Sequence, residues 1–278
     1  GNSTSYNNKE ISLPAGIQYY DFPTGSATPN GSLAPGHPVG SFYGYKVLGL
    51  FQDAADVAKS PTQDGAAPGR FKYEDVNGDG KIDNNDRTFV GNPNPDFTAG
   101  LNIGISYRNF DFSTFLYASV GSEILNSVRS STDFPQQFNN AMSKRVALHS
   151  ATLVDASGQP TNILDPTARV EDPHSTVPLL ERNANFSNAT VFNSYLIEGG
   201  SYLRCKSMVI GYTLPAGMLN RYRIERLRIY LQAINLFTAT KYSGLDPELP
   251  GSNTQFGIDG GGYPNNQKNF NIGINLSF

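Results

Sequence analysis

This sequence has no tryptophan, one cysteine and three histidines among its 278 residues. The single thiol, Cys205, excludes an internal disulfide and a zinc site built from several cysteines, so we expect a small apolar strand residue there. His37, His149 and His174 have no spacing suited to a metal or a catalytic triad, and solvated side chains are expected. No stretch approaches the ~18 consecutive apolar residues of a membrane-spanning helix, although membrane-spanning strands would carry a much weaker signal.

Charged side chains are also scarce, at 16% of the residues, against roughly 25% in an average soluble protein. The net charge of −3 provides no strongly basic face, so nucleic acid is not expected as a partner. Glycine (28), proline (18) and aromatic residues (12%) are abundant, which favours an all-β fold with many turns. The chain opens on Gly1-Asn2-Ser3 without an export signal, so we expect a piece of a longer protein.

Several segments alternate between apolar and polar residues, which is typical of a strand with two different environments. Leu101–Tyr107 and Phe110–Val120 are predicted to form a hairpin. Tyr202–Leu214 and Arg226–Leu236 form a second pair, and Phe42–Phe51 is a further strand. The cleanest alternation is the terminal strand, residues 267–278, whose apolar members are Phe270, Ile272, Ile274, Leu276 and Phe278.

One strand departs from simple alternation. Arg204 and Lys206 fall on the same face as the apolar Met208, Ile210 and Tyr212. A β-bulge inserts one extra residue and moves the following side chains to the other face. We therefore predict either a bulge between the charged and the apolar part of this strand or a change of environment along it.

The connections between these strands alternate in length. Residues 52–97, 121–199 and 238–266 are long and rich in Gly, Pro, Asn and Ser, whereas the intervening links are short. Short turns at one end and long loops at the other are typical of an outer-membrane β-barrel. We therefore predict antiparallel strands that form part of a transmembrane β-barrel with long extracellular loops. About six spanning strands cannot close alone, because such barrels need at least ~8.

The sharpest chemical motif is a twelve-residue loop with calcium-ligand spacing. Oxygen ligands fall at its positions 1, 3, 5, 9 and 12, a glycine occupies position 6, and a backbone carbonyl is expected at position 7. Carboxylates crowded into such a short loop would repel one another without a cation, which favours bound Ca²⁺ over a metal-free turn. The predicted ligands are Asp75, Asn77, Asp79, Lys81 through its carbonyl, Asp83 and Asp86.

Other candidate sites are weaker. Tyr195, Tyr242 and Tyr263 could stack on a ligand, although loop packing or a membrane-interface position is the commoner use of such side chains. Asp246 and Glu248 are close enough in sequence to suggest an acid–base pair of a hydrolase. Pro247 interrupts the strand pattern between them, which favours a polar loop.

At these motifs the chain resembles the C-terminal region of the SusC/RagA family of TonB-linked outer-membrane proteins. The resemblance rests on an ordered set of segments that covers nearly the whole chain. They are GHPVGSFYGYKVLGLFQ (36–52), PGRFKYEDVNGDGKID (68–83), SYLR (201–204), GYTLP (211–215), NLF (235–237), YSGLDPE (242–248) and GGYP (261–264), followed by the strand that closes on Phe278. The segment 121–199 matches only loosely.

The resemblance implies a place in the outer membrane of a Gram-negative bacterium and active import of oligosaccharides or peptides. It implies three partners besides the lipid: a SusD-like surface lipoprotein, the TonB complex acting through regions outside this chain, and the imported oligomer. The terminal strand would be the signal that the barrel-assembly machinery reads. No enzymatic activity is expected.

A secreted or surface-attached, calcium-binding β-sandwich that grips glycans is the main alternative. The two architectures differ in where the apolar side chains lie. A sandwich closes them into a core between two sheets, whereas a transmembrane barrel turns them outward to lipid.

Overall fold

The structure of the chain is a computed structural model. It describes residues 1–15, 20–22, 31–134, 142–188, 190–219, 224–249, 251, 256–262 and 266–278. Its early strands are β1 (Asn2–Thr4), β2 (Tyr20–Phe22), β3 (Gly31–Leu33), β4 (Phe42–Tyr45), β5 (Val47–Leu50), β6 (Phe71–Tyr73), β7 (Arg87–Gly91), β8 (Phe97–Tyr107) and β9 (Phe110–Val120). The later ones are β10 (Glu123–Asn126), β11 (Leu153–Val154), β12 (Arg169–Val170), β13 (Ile197–Gly199), β14 (Tyr202–Thr213), β15 (Arg226–Ile234), β16 (Thr238–Thr240), β17 (Ile258–Asp259) and β18 (Asn269–Ser277).

The helices of the described residues are short. They are α1 (Ala54–Lys59), α2 (Ser127–Thr132), α3 (Lys144–His149) and α4 (Ala216–Leu219), with 3-10 turns at Asn84–Asp86 and Ser194–Leu196. Side chains of Asp53, Asn126 and Ser143 cap the first three by accepting hydrogen bonds from backbone N–H groups. In this part of the chain, no helix is long and apolar enough to cross a membrane.

The long strands form one antiparallel sheet in the order β1-β8-β9-β14-β15-β18, and β16 also pairs with β14. β8 and β9 are a hairpin in which Tyr107 lies opposite Phe110. Arg108 in the connecting turn has a φ of 54°, the left-handed conformation that a tight hairpin turn requires. The predicted hairpin and the predicted pairing of Tyr202–Leu214 with Arg226–Leu236 are therefore confirmed.

Of the two alternatives predicted for β14, the bulge is present. The register against β9 shifts between Cys205 and Ser207, which leaves Lys206 as the extra residue. Because of this shift, Arg204 and Lys206 both reach the same carboxylate, that of Glu248, while Met208 returns to the apolar face.

Phe42–Phe51 is largely extended, as predicted, but it does not form one continuous strand of the long sheet. This segment forms two short strands, β4 and β5, which pair with β7 and β6 outside the long sheet. Gly49, with a φ of 148°, coincides with an irregular register between β5 and β6. The long sheet therefore contains five long strands and the short β1 in place of a sixth.

The long connections pack together into a body that we call the loop domain, formed by the described residues within 31–96, 121–199 and 241–262. Its hydrophobic core combines residues from distant parts of the chain. They include Phe42, Tyr45, Leu50, Phe71, Tyr73, Leu125, Phe134, Leu153, Val170, Phe192 and Leu196. Ile82 of the twelve-residue loop also lies in this core. Burial of so many large side chains explains how these loops can hold a defined shape.

All three long connections leave the long sheet at the same end. Phe97 lies opposite Val120 in the register of β8 and β9, and Tyr202 lies opposite Ser119 in the next pair. Ile234 lies opposite Asn269 at the same end of β15 and β18. The loop domain is thus built on one end of the sheet, and the tight turn at Arg108 marks the other end.

Candidate functional site

One face of the long sheet is apolar and uncovered. Its side chains form continuous rows across five strands, because residues that lie opposite each other in the register share a face. One row is Ile105, Phe112, Ile210, Leu231 and Ile272, and the next is Tyr107, Phe110, Tyr212, Ile229 and Ile274. Ile272 is 78% exposed and Ile274 is 63% exposed. An apolar surface of this extent has a favourable contact only with hydrocarbon or with another protein surface.

The opposite face is polar. Arg228 donates two hydrogen bonds to Asp111, from Nε at 2.9 Å and from Nη2 at 2.5 Å. The pair bridges over Gly211 of the strand between them, where a Cβ atom would lie only 2.4 Å from the Asp111 carboxylate. Asn271, Asn275 and Gln232 share this face by register. Such a face suits contact with water in the lumen of a barrel.

The terminal strand contributes most to the uncovered apolar face. Phe270, Ile272, Ile274 and Leu276 are exposed along β18, and Phe278 follows it with 79% exposure. Their use as a barrel-assembly signal stays a prediction.

A buried ion-pair network fastens the loop domain to the sheet. Arg204 is only 2% exposed, and its guanidinium group donates to Asp246 at 2.5 Å, to Glu248 at 2.7 Å and to the Thr238 hydroxyl at 2.9 Å. The Lys206 ammonium group lies 2.6 Å from both oxygens of Glu248. The two carboxylates thus neutralise buried cations, which gives them a structural role in place of the acid–base pair of a hydrolase.

The sequence pattern singles out Arg204 and Lys206 in one place and Asp246 and Glu248 in another. It does not indicate that the cations pair with the carboxylates. The sequence does contain a signal for this pairing. Two cationic residues interrupt the apolar positions of β14, and two carboxylates follow in a later loop that has no cationic residue beside them. Their connection depends on the bulge at Lys206 and on the path of residues 241–249, which the sequence pattern does not specify.

The twelve-residue loop is wound by hydrogen bonds to its own carboxylates. Asp75 accepts from the backbone N–H groups of Gly78 at 2.7 Å and Gly80 at 2.9 Å. Asp86 is fully buried and accepts from the backbone of Val76 and Asp83. The segments that flank the loop are the strands β6 and β7.

Charge within this loop is partly balanced by its own lysine. The Lys81 ammonium group lies 3.1 Å from Asp83 and 3.9 Å from Asp79. A hydrogen bond from the Asn85 backbone and the contact with Lys81 hold the pKa of Asp83 below its usual value. Within the described ranges, no group of three or more Asp, Glu, His or Cys side chains is placed so that it could hold a metal ion. The donors suit Ca²⁺ in chemical type, because they are carboxylate and amide oxygens.

The candidate stacking tyrosines have structural contacts. Tyr242 is 6% exposed and donates a hydrogen bond of 2.6 Å to Asp259. Burial and this carboxylate raise the pKa of Tyr242. The Tyr195 ring packs against Phe71 and carries the guanidinium group of Arg129 at 4.2 Å. Both side chains are therefore packing residues, which corrects the suggestion that they are free stacking surfaces; Tyr263 lies outside the described residues.

The curated proteins that are similar to this chain are TonB-dependent receptors. No protein-family model matches the chain. A TonB-dependent receptor P3 of Formosa agariphila is 33% identical over 99% of this chain, and SusC, a TonB-dependent receptor of Bacteroides thetaiotaomicron, is 27% identical over 87% of it. The chain covers 26% and 20% of these two proteins, respectively. A solved structure of the RagAB peptide transporter superposes on 97% of this chain with a TM-score of 0.70 and 23% identity, and the match covers 25% of that structure.

This chain belongs to the SusC/RagA family of TonB-dependent receptors. It spans about a quarter of the length of the relatives with which it aligns. Its fold is therefore a segment of an outer-membrane β-barrel, and the uncovered apolar face is the face that meets lipid. The β-sandwich alternative was wrong, because the apolar rows of the long sheet are exposed and no second sheet covers them in the described residues.

A charge on the lipid-facing side should disrupt the barrel of this SusC/RagA receptor. We expect Ile274→Arg to destabilise the full-length protein in a bilayer by about 2–4 kcal/mol if the position lies near the membrane midplane. The matched control is Asn275→Arg, one residue along on the water-facing side. Urea titration of the protein refolded in lipid vesicles measures the difference, and equal losses from both variants would contradict the assignment of the two faces.

Removal of the buried guanidinium group should loosen the loop domain from the sheet. We expect Arg204→Met to cost about 3–5 kcal/mol, because Asp246 would be left buried without its cation. Arg226→Met on an exposed position of β15 is the control. Hydrogen exchange of residues 241–249 reports the loosening, and unchanged protection of that segment in Arg204→Met would show that the network is not what holds it.

Proposed function

We propose that the full-length protein imports nutrient oligomers, either glycans or peptides, across the outer membrane with energy delivered through TonB. The observation that supports this most directly is the long sheet, which is apolar on its exposed side and polar on the other. A barrel wall of this kind encloses a water-filled lumen through which hydrophilic cargo can pass. The related proteins are named as receptors and as a peptide transporter, which supports the same function.

A SusD-like surface lipoprotein is the proposed partner at the extracellular end. The loop domain stands at the long-loop end of the sheet, where a surface lipoprotein would meet the receptor. Related transporters are solved as a two-component RagAB assembly, which supports such a partner. Contact with the TonB complex would come through parts of the receptor outside these residues.

Import can be tested by deleting the full-length gene in its host. We expect growth on one class of oligomer, supplied as the sole carbon or nitrogen source, to be lost, and complementation in trans to restore it. A strain without functional TonB should show the same loss, because active import needs that energy. Neutral oligosaccharides, acidic oligosaccharides and peptides are supplied separately, with monomers as the control. Normal growth of the deletion strain on every oligomer would refute the import function.

We further propose that Asp75–Asp86 binds Ca²⁺ as a structural ion of the loop domain. The support is the ligand spacing, the oxygen chemistry of the side chains and the tight winding of the loop around Asp75. The residues that would hold the ion are Asp75, Asn77, Asp79, Asp83 and Asp86, together with the carbonyl of Lys81. Lys81 currently balances part of the negative charge, so its ammonium group would move away on binding.

Calcium binding predicts a stability that depends on the ion. At a Ca²⁺ concentration 100 times the dissociation constant, the free energy of unfolding should rise by about 2.7 kcal/mol. Thermal unfolding of the purified receptor in CaCl₂ and in EDTA measures this effect. The double variant Asp75→Asn/Asp79→Asn should lose it, whereas Asp155→Asn, an exposed carboxylate elsewhere in the loop domain, should keep it. Identical unfolding of the unmodified protein in CaCl₂ and EDTA would contradict the calcium site. The ammonium group of Lys81 would then be the only cation within the loop.

A further inference from the structure

The lipid-facing side of the long sheet ends in two lysines at the end that carries the loop domain. Lys241 follows β16 by one residue, and Lys268 precedes β18 by one residue. Ala239 of β16 lies opposite Leu203 of β14, which in turn lies opposite Ala118 of β9 on the lipid side. Because side chains alternate along a strand, Lys241 continues that side two residues beyond Ala239.

Lys268 has the corresponding position at the start of the terminal strand. Alternation places it on the side of Phe270, which is 70% exposed. Just before it, the Gln267 carbonyl accepts a hydrogen bond of 3.2 Å from the Asn235 side chain. This contact holds the start of β18 against the end of β15, so Lys268 has a fixed place at the rim of the apolar rows.

Both ammonium groups are available to a ligand. Lys241 and Lys268 are exposed, and neither has a hydrogen bond or an ion pair with another residue of the described ranges. The other side of the sheet differs, because Arg204, Lys206 and Arg228 each contact a carboxylate of this chain. The chain thus neutralises three cations on its lumen side and leaves these two on its lipid side without a counterion.

The two lysines lie at the depth of the lipid headgroups. β18 has nine residues and β14 has twelve, and a tilted strand needs ~9–11 residues to cross the hydrocarbon layer. Lys268 is just beyond β18, and Lys241 is just beyond β14, because Thr240 lies opposite Tyr202, the first residue of that strand. From this rim to the tight turn at Arg108, the lipid-facing positions of the described strands carry no charged side chain.

The long loops mark the extracellular end of the barrel, so the lipid beside Lys241 and Lys268 is that of the outer leaflet. The outer leaflet of a Gram-negative outer membrane contains a glycolipid whose headgroup carries phosphate groups. An ammonium group binds phosphate as a compact point charge. We propose that Lys241 and Lys268 bind these phosphates while the acyl chains of the same lipid lie on the apolar rows. This inference concerns the lipid around the barrel and is independent of what the receptor imports.

Continuity of the surface favours a lipid over a protein partner. Leu203 and Phe270, next to the two lysines, are 40% and 70% exposed and belong to the same face as Ile272 and Ile274. One amphipathic molecule with an anionic head and hydrocarbon chains matches both parts of this surface. A soluble acidic protein would match the lysines alone.

The test compares two double variants of the full-length receptor. Lys241→Gln/Lys268→Gln removes the charges at the rim, whereas Lys59→Gln/Lys144→Gln removes two exposed charges from α1 and α3 of the loop domain. Each protein, purified in detergent, is titrated with lipid A that carries two phosphates and with the same lipid A after removal of both. Native mass spectrometry gives the bound fraction, and heat-modifiable electrophoretic mobility shows that the barrel is folded.

We expect the unmodified receptor to bind the phosphorylated lipid A more tightly than the dephosphorylated one. Lys241→Gln/Lys268→Gln should weaken the binding of phosphorylated lipid A by about tenfold or more, because each lysine adds attraction to the anionic headgroup. It should leave binding of the dephosphorylated lipid unchanged. The loop-domain variant should bind both lipids like the unmodified receptor. Added NaCl should reduce the difference between the two lipids, because salt screens exposed charges.

Equal affinities of the unmodified receptor for the two lipids would overturn the inference. So would equal losses in the two double variants, or unchanged binding of phosphorylated lipid A by Lys241→Gln/Lys268→Gln. Loss of a co-purified surface lipoprotein in that variant, with lipid A binding unchanged, would assign the two lysines to a protein interface instead.

Discussion

A sheet with one uncovered apolar face and two open edges is stable only where an apolar medium covers that face and further strands pair with the edges. Ile272 and Ile274 require hydrocarbon against them, and the outer edge of β18 requires another strand, because unpaired backbone groups cannot be left in a bilayer. Closure of the sheet into a barrel with the rest of the receptor meets both needs at once. The polar face then lines the water-filled interior of the barrel.

The loop domain depends on that sheet through a small number of buried charges. Arg204 holds two carboxylates of the segment 241–249 against β14, and β17, farther along the chain, pairs with β10 in the loop domain. Buried ion pairs add little net stability compared with apolar packing, but they fix one arrangement, since any other leaves a charge unpaired. A fixed position for this segment fixes where the loop domain stands on the sheet.

The strands of the barrel wall could be predicted from the sequence because their two faces meet media of opposite polarity. The alternation in Leu101–Tyr107 and in residues 267–278 records lipid on one side and water on the other, so each strand carries its own signal. Phe42–Phe51 shows the limit of that signal. Phe42, Tyr45 and Leu50 lie in the core of the loop domain. A short apolar run of this kind has the same sequence pattern in a barrel wall as in a domain core.

The sequence by itself determined the period-two strands, the alternation of short and long connections and the spacing of the oxygen-bearing side chains at 75–86, and for β14 it left a bulge and a change of environment open. These are local properties, decided by neighbouring residues and by the medium on each face. Only the tertiary structure decided that the long loops share one hydrophobic core, that Arg204 meets Asp246 and Glu248, and that Tyr242 is buried. Those contacts join residues tens of positions apart, and the path of the chain between them depends on packing of the whole domain.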